Sequence, residues 1–210
     1  MKNVLVVVSS KDQVKKQTAR CIDVLRQEGA GYVQQEDCSD VALARNIALS
    51  NACQVLRTKS YTIVLMIDDD MTFSLNDAQA VVKRAVERNR PVAGACVSAS
   101  GQFAAKPMNK TAWLSGLAFI AIPAHLLLSL QDKSRIFDAN GNQYTAFTWT
   151  GVEGKEWMGE DSRLSFRLGG VEVVPVRIGH LKLMPIYPAE EGQEKELGAF
   201  IMNALENYRG

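Results

Sequence analysis

The apolar run Ile63-Val64-Leu65-Met66-Ile67 leads directly into Asp68-Asp69-Asp70, and no other stretch of the chain restricts its fold as much. Five apolar residues in succession read as a buried strand. Carboxylates at its end emerge where the strands of an open α/β sheet deliver ligands. Three anions side by side repel unless a cation compensates them, and a divalent metal with oxygen ligands is the usual answer. Such a metal in turn calls for an anionic substrate.

Around this strand the chain alternates short apolar runs with helical periodicity. Residues 4–8 read as a buried strand ended by Ser9-Ser10, and 12–28 as a helix with Val14, Cys21, Ile22 and Leu25 inward, stopped by Gly29 and Gly31. A short strand at Tyr32-Val33 leads to a helix capped by Ser39, whose apolar face holds Val41, Ala44, Ile47, Ala48, Cys53 and Leu56. After the acidic strand, Asn76 or Asp77 caps a third helix with Val81, Val82, Ala85 and Val86 inward, and Pro91 separates it from a strand over 92–97. That alternation argues for a mainly parallel sheet with right-handed crossovers.

The second half is less regular. Residues 101–110 read as loop, 117–122 as a strand, and Pro123 as the first position of a helix ending near 130. The segment 131–159, rich in Asn, Gly and aromatics, reads as a functional loop. Helix returns over 160–168, a last strand over 171–176, and Gly179-His180 follow. With 210 residues, one α/β domain is expected, assigned to 1–190. Over 191–210, Leu197, Phe200, Ile201, Ala204 and Leu205 recur at helical spacing. That helix is expected to pack on the domain or to join an oligomer.

Composition removes several classes. The 24 Lys and Arg against 23 Asp and Glu leave a net charge of +1, so no bulk preference for polyanions follows. Cys21, Cys38, Cys53 and Cys96 show no CxxC spacing, which points to neither a zinc site nor a disulfide framework. The first apolar run is too short for a secretory segment, and the stretch 117–130 is interrupted by Pro123 and His125. A cytoplasmic protein without membrane segments is the expectation.

The acidic triplet has three readings. As a DxD motif, its outer carboxylates Asp68 and Asp70 hold a divalent cation that bridges the phosphates of a nucleotide-sugar and neutralises the leaving diphosphate. As Asp68-Asp69-Asp70-Met71-Thr72 it also spells DxDxT, the motif of haloacid-dehalogenase-type phosphatases, with Asp68 as the phosphorylated nucleophile. A solvated strand end feeding a turn is the third. Downstream, Trp157-Met158-Gly159-Glu160-Asp161 opens a helix, where the macrodipole stabilises both carboxylates. An ionised Asp161 there can act as general base, although helix capping also explains acidic residues at that position. His180 follows the last strand, and neutral imidazole is a good ligand for manganese-like metals.

Taken in order, Ala44-Arg45-Asn46, Ile67-Asp68-Asp69-Asp70-Met71, 114–119, Gly159-Glu160-Asp161 with Arg167, and Gly179-His180 resemble soluble glycosyltransferases of the GT-A fold, especially family-2-like members. The resemblance spans about residues 3 to 182 and lies in order and spacing. It implies a single-domain, Rossmann-like α/β fold and a nucleotide-diphosphate sugar donor. Ser9 and Ser10 would meet the nucleoside, Arg45 and Asn46 the ribose and diphosphate, and Asp68 and Asp69 the nucleotide-sugar. Asp70 and His180, with Asp68, would hold Mn or Mg. Gly116 would allow close backbone approach at the donor sugar. Asp161, assisted by Glu160, would act on the acceptor hydroxyl, and in-line attack would invert the anomeric centre. The acceptor-binding or membrane-associated extensions usual in the family are not expected here, and the first loop, Ser9-Ser10-Lys11-Asp12, departs from the family's proline-rich opening.

For the acceptor, Tyr144, Phe147, Trp149 and Trp157 suit stacking on a sugar ring or base. Basic clusters at Lys83, Arg84, Arg88 and Arg90, and at Lys106, Lys110, Lys133 and Arg135, extend the acceptor classes from a saccharide, protein or small molecule to a hydroxymethylated base in DNA. The alternative enzyme is the phosphohydrolase with Asp68 as nucleophile.

Overall fold

Strand β1 (Val4–Ser9) and strand β3 (Ile63–Asp68) pair in parallel with Val4 opposite Ile63 and Ser9 opposite Asp68, and their apolar residues are all buried. The computed structural model describes residues 1–10, 13–36, 38, 40–94, 105–108, 113–115, 118–131, 135–153, 156–174, 176 and 178–180, of which 105–107, 113–115, 153, 156 and 180 by backbone. Ser39, Cys96, Lys110, Gly116, Lys133 and the helix expected over 191–210 lie outside these.

In chain order the elements between and after these strands are α1 (Lys16–Gln27), β2 (Gly31–Gln35), α2 (Val41–Thr58), β4 (Met71–Thr72), α3 (Leu75–Arg88), β5 (Val92–Gly94), β6 (Ala105–Pro107) and β7 (Trp113–Ser115). Then come β8 (Phe119–Pro123), α4 (Ala124–Leu130), β9 (Arg135–Phe137), β10 (Gln143–Thr145), β11 (Gly151–Glu153), β12 (Glu156–Met158), α5 (Glu160–Arg167), β13 (Glu172–Val174) and β14 (Gly179–His180).

Successive side chains of a strand point to opposite faces, so β1 and β3 feed two cores. Leu5, Val7, Val64 and Met66 pack with Ala48, Leu49, Ala52 and Leu56 of α2. On the other face, Val6, Val8, Leu65 and Ile67 meet Ile22 and Leu25 of α1 and Ala78, Val81 and Ala85 of α3. This double burial is why both strands are apolar without alternation.

The main sheet is six-stranded and mixed, in the order β13-β5-β8-β3-β1-β2. The expected run of parallel neighbours breaks at β8, which is antiparallel to both β3 and β5. Parallel pairing needs a crossover to the opposite end of the sheet. Here β5 leaves and β8 enters at the same end, where Asp68 N–H donates to Ala118 O at 2.9 Å. All five residues of β8 are buried, as suits a central strand.

Caps differ from expectation by a residue or two. Asp40, next to the expected Ser39, caps α2 by accepting from Leu43 N–H at 2.8 Å. Ser74 caps α3 in a reciprocal capping box, and Asp77, the third residue of the helix, is its partner, accepting from Ser74 N–H at 3.1 Å. Pro123 stands at the cap of α4, one residue before its first helical position. The expected loop over 131–159 instead contains two hairpins, β9–β10 and β11–β12, and Ser50 and Asn46 of α2 accept from the N–H groups of Thr145 at the end of β10 and of Phe147 just after it. Among the described residues no helix is long and apolar enough to cross a membrane.

Candidate active site

The three aspartates at the exit of β3 diverge, each toward its own partner. Both oxygens of Asp68 accept from Arg45 Nη2, at 3.1 and 3.0 Å. Asp69 Oδ2 accepts from Ser10 Oγ at 2.7 Å. Asp70 Oδ2 lies 3.7 Å from Lys15 Nζ, and Lys15 N–H donates to Asp69 O at 3.0 Å. Thus protein cations stand beside two of the triplet and supply part of the compensation for which a divalent metal is the usual answer. Lys15 was not singled out from sequence; its neighbour is set by tertiary folding 55 residues away.

Arg45 is the centre of the site. It lies in a fully buried stretch of α2 and is 4% exposed. Its Nη1 donates to Glu160 Oε1 at 3.1 Å and to Asp161 Oδ1. Burial by itself would lower the guanidinium's pKa; the charge of Asp68, followed by Asp161 and Glu160, more than reverses this and holds it above its ordinary value. Arg45, expected beside the ribose and diphosphate, therefore has its charged end enclosed by carboxylates.

Asn46, the next residue, fixes the chain that leads to α5. Its Oδ1 accepts from Phe147 N–H at 2.8 Å and Thr148 N–H at 2.9 Å, and its Nδ2 donates to Thr148 O at 2.7 Å. The Thr148 hydroxyl donates to Glu160 O. Asn46 is 2% exposed, so its effect on a ligand is through this loop. At the start of α5, Gly159 occupies the cap and makes no side-chain cap bond, while Glu160 and Asp161 in the first turn both meet Arg45.

The aromatic residues separate by role. Phe147 is core, wholly buried. The Trp149 ring carries the guanidinium of Arg163 at 4.3 Å and that of Arg167 at 5.1 Å, a stacking arrangement favoured by the ring quadrupole. Tyr144 donates to Asp138 Oδ2 at 3.3 Å. Trp157 is 70% exposed and lies opposite exposed Val152 in the β11–β12 hairpin, three residues before Glu160. Of the basic residues, Arg84 Nε bonds Glu172 Oε1 at 2.5 Å, and Arg135 Nη1 donates to Gln131 O at 2.6 Å and Thr145 Oγ1 at 2.9 Å. Those two cations serve internal contacts.

Ser9 and Ser10 lie at the same sheet end, 8% and 2% exposed. Strand β14 pairs antiparallel with β4, with His180 opposite Met71 and Gly179 opposite Thr72. The backbone of His180 is thereby set beside the residue that follows Asp70. Among the described side chains no group of three or more His, Cys, Asp or Glu forms a metal cage. Asp70 stands in the turn just before β4, and carboxylate and imidazole are residue types that suit Mn or Mg.

No protein-family model matches this chain, and no curated protein matches it either. Among solved structures, the crystal structure of A197 from STIV is similar, with a TM-score of 0.59 and 18% identity over 86% of this chain and 86% of that one. At that identity the likeness is one of fold.

Proposed function

We propose that this protein is a metal-dependent glycosyltransferase with a GT-A-like fold, moving a sugar from a nucleotide-diphosphate donor to an acceptor hydroxyl with inversion. One observation carries this reading: Arg45 joins the acidic strand end at Asp68 to the Glu160-Asp161 pair that opens α5. A sugar transfer needs polar groups on two sides of the bond being broken, one for the leaving diphosphate and one for the attacking hydroxyl.

Asp161 is the candidate base. Its side chain is 36% exposed, against 28% for Glu160 and 20% for Asp68, so of the carboxylates on Arg45 it best meets a substrate. A carboxylate has about four lone-pair sites, and a contact with Arg45 does not exhaust its capacity to take a proton. In the transfer, the acceptor oxygen bonds to the anomeric carbon while the bond from that carbon to the diphosphate breaks. The hydroxyl proton passes to Asp161 and the electron pair leaves with the diphosphate. Attack opposite the leaving group inverts the centre.

Asp70 and His180 would hold Mn or Mg, and Lewis-acid stabilisation of the departing diphosphate is the chemistry that ion supplies when bound. Ser10 steadies Asp69 at the nucleoside side. Exposed Trp157 offers a ring on which an acceptor sugar or base can stack. The scattered cysteines suit a cytoplasmic setting. A phosphohydrolase would need an oxygen of Asp68 to attack phosphorus; both oxygens are bound to Arg45, which suits an oriented anion better than a nucleophile.

The test is a panel of nucleotide-diphosphate sugars with Mn, following release of the nucleoside diphosphate. Release from at least one donor, lost in Asp161→Asn, is expected. Hydrolysis of an aryl phosphate without any such release would favour the phosphohydrolase.

A further inference from the structure

We infer that Arg45 is a positioning residue for the transfer step, holding the Asp161 carboxylate in register with the donor side of the site; this rests on the glycosyltransferase reading. Its side chain is 5% exposed and its two terminal nitrogens face carboxylates from two elements remote in sequence. A guanidinium so placed reaches a nucleotide only by abandoning those partners. A ligand-binding role is thus the weaker use of it.

The geometry explains what it does instead. Nη2 faces both oxygens of Asp68 at 3.1 and 3.0 Å, a charge-assisted contact shared by one nitrogen between two oxygens. Nη1 carries Glu160 at 3.1 Å together with Asp161. One rigid fork thereby ties the end of β3 to the first turn of α5 and fixes the separation between them. Neighbouring carboxylates at Glu160 and Asp161 repel each other, and the shared cation lets both face the same nitrogen. The other charged side chains of α5 with described contacts, Arg163 and Arg167, stack on Trp149. Asn46 completes the arrangement from the adjacent position of α2 by holding residues 147 and 148, just ahead of the hairpin that enters α5.

A lysine keeps the charge and loses the fork. Arg45→Lys should therefore lower kcat about a hundredfold, the scale of a lost general base, while the donor KM stays within about threefold. Calorimetric donor stoichiometry near one per chain would show that the active fraction is intact. Placing Asp161→Asn on Arg45→Lys should cost little more, because residues acting as a unit are not additive. Multiplying losses in the double variant, or a raised donor KM at unchanged kcat, would overturn the inference. If Arg45→Lys does not fold, Glu160→Gln and Asp161→Asn combined with a melt of each keep the test: an Asp161→Asn protein that melts like wild type and transfers normally also overturns it. Wild-type inactivity with every donor would instead remove the glycosyltransferase reading itself.

Discussion

Gly179 faces Thr72 across the β4–β14 pairing so closely that a Cβ on Gly179 would overlap Thr72 Oγ1. That approach seats the backbone of His180 beside Met71, next to Asp70. A Cβ at 179 forces the Thr72 hydroxyl to turn away, and the bulkier Gly179→Val should push β14 away. If His180 is a metal ligand, Mn affinity should fall about tenfold or more, which is 1.4 kcal/mol of binding. Electron paramagnetic titration of Mn measures this directly, and unchanged affinity would detach His180 from the site.

Asn46→Ala should destabilise the fold by about 3 kcal/mol, because it removes a donor and an acceptor from three buried backbone groups. Urea denaturation should show a lower midpoint. A change below about 0.5 kcal/mol would mean that the loop at residues 147 and 148 is held by other contacts.

Asp161→Asn keeps shape and donor binding while removing the base, and transfer should fall about a hundredfold or more. Glu160→Gln should cost less, since Glu160 meets the same nitrogen with a less exposed side chain. Gly159 and not Asp161 occupies the cap of α5, so a role for Asp161 limited to balancing the charge of Arg45 would lower the melting temperature of Asp161→Asn and leave its transfer normal. Steady-state kinetics and melting temperatures of the two variants separate these outcomes.

Tyr32 should make stability sensitive to alkali. Burial, against the opposing charge of Arg26 and with Glu36 and Asp23 adding to it, pushes its hydroxyl from 10.0 up to about 12. The unfolded chain releases this proton near 10 while the folded chain retains it. Its contribution is therefore fully present below about pH 10 and is lost as pH rises toward 12. Absorbance titration of Tyr32→Phe against wild type should remove a tyrosine that titrates near 12, and its unfolding free energy should decline less over that window.

Much of the framework was legible because burial leaves a local mark. The runs 4–8 and 63–67 are β1 and β3, and the helix after Gly159 begins where the acidic pair suggested. The apolar face of α2 also held a clue to Arg45, which lies one turn before Leu49 within a buried stretch. Its partners could not be read, since Asp68, Glu160 and Asp161 are 23, 115 and 116 residues away. Similarly, the antiparallel insertion of β8 depends on which sheet end the chain returns to, and no local period encodes that. Phe147 reads as a binding aromatic because its burial is in a core built by elements remote in sequence, α2, α4 and α5 among them, which leaves no local mark.

The most direct measurement is calorimetric titration of a nucleoside diphosphate into the wild-type protein and Asp70→Ala, each with Mn and with EDTA. A carboxylate that links the diphosphate to the protein through a cation should make binding require both the metal and Asp70. Wild-type binding with Mn that weakens about a hundredfold or more in EDTA and in Asp70→Ala is the expected result. Equal affinity under all four conditions would contradict the metal-bridged donor site.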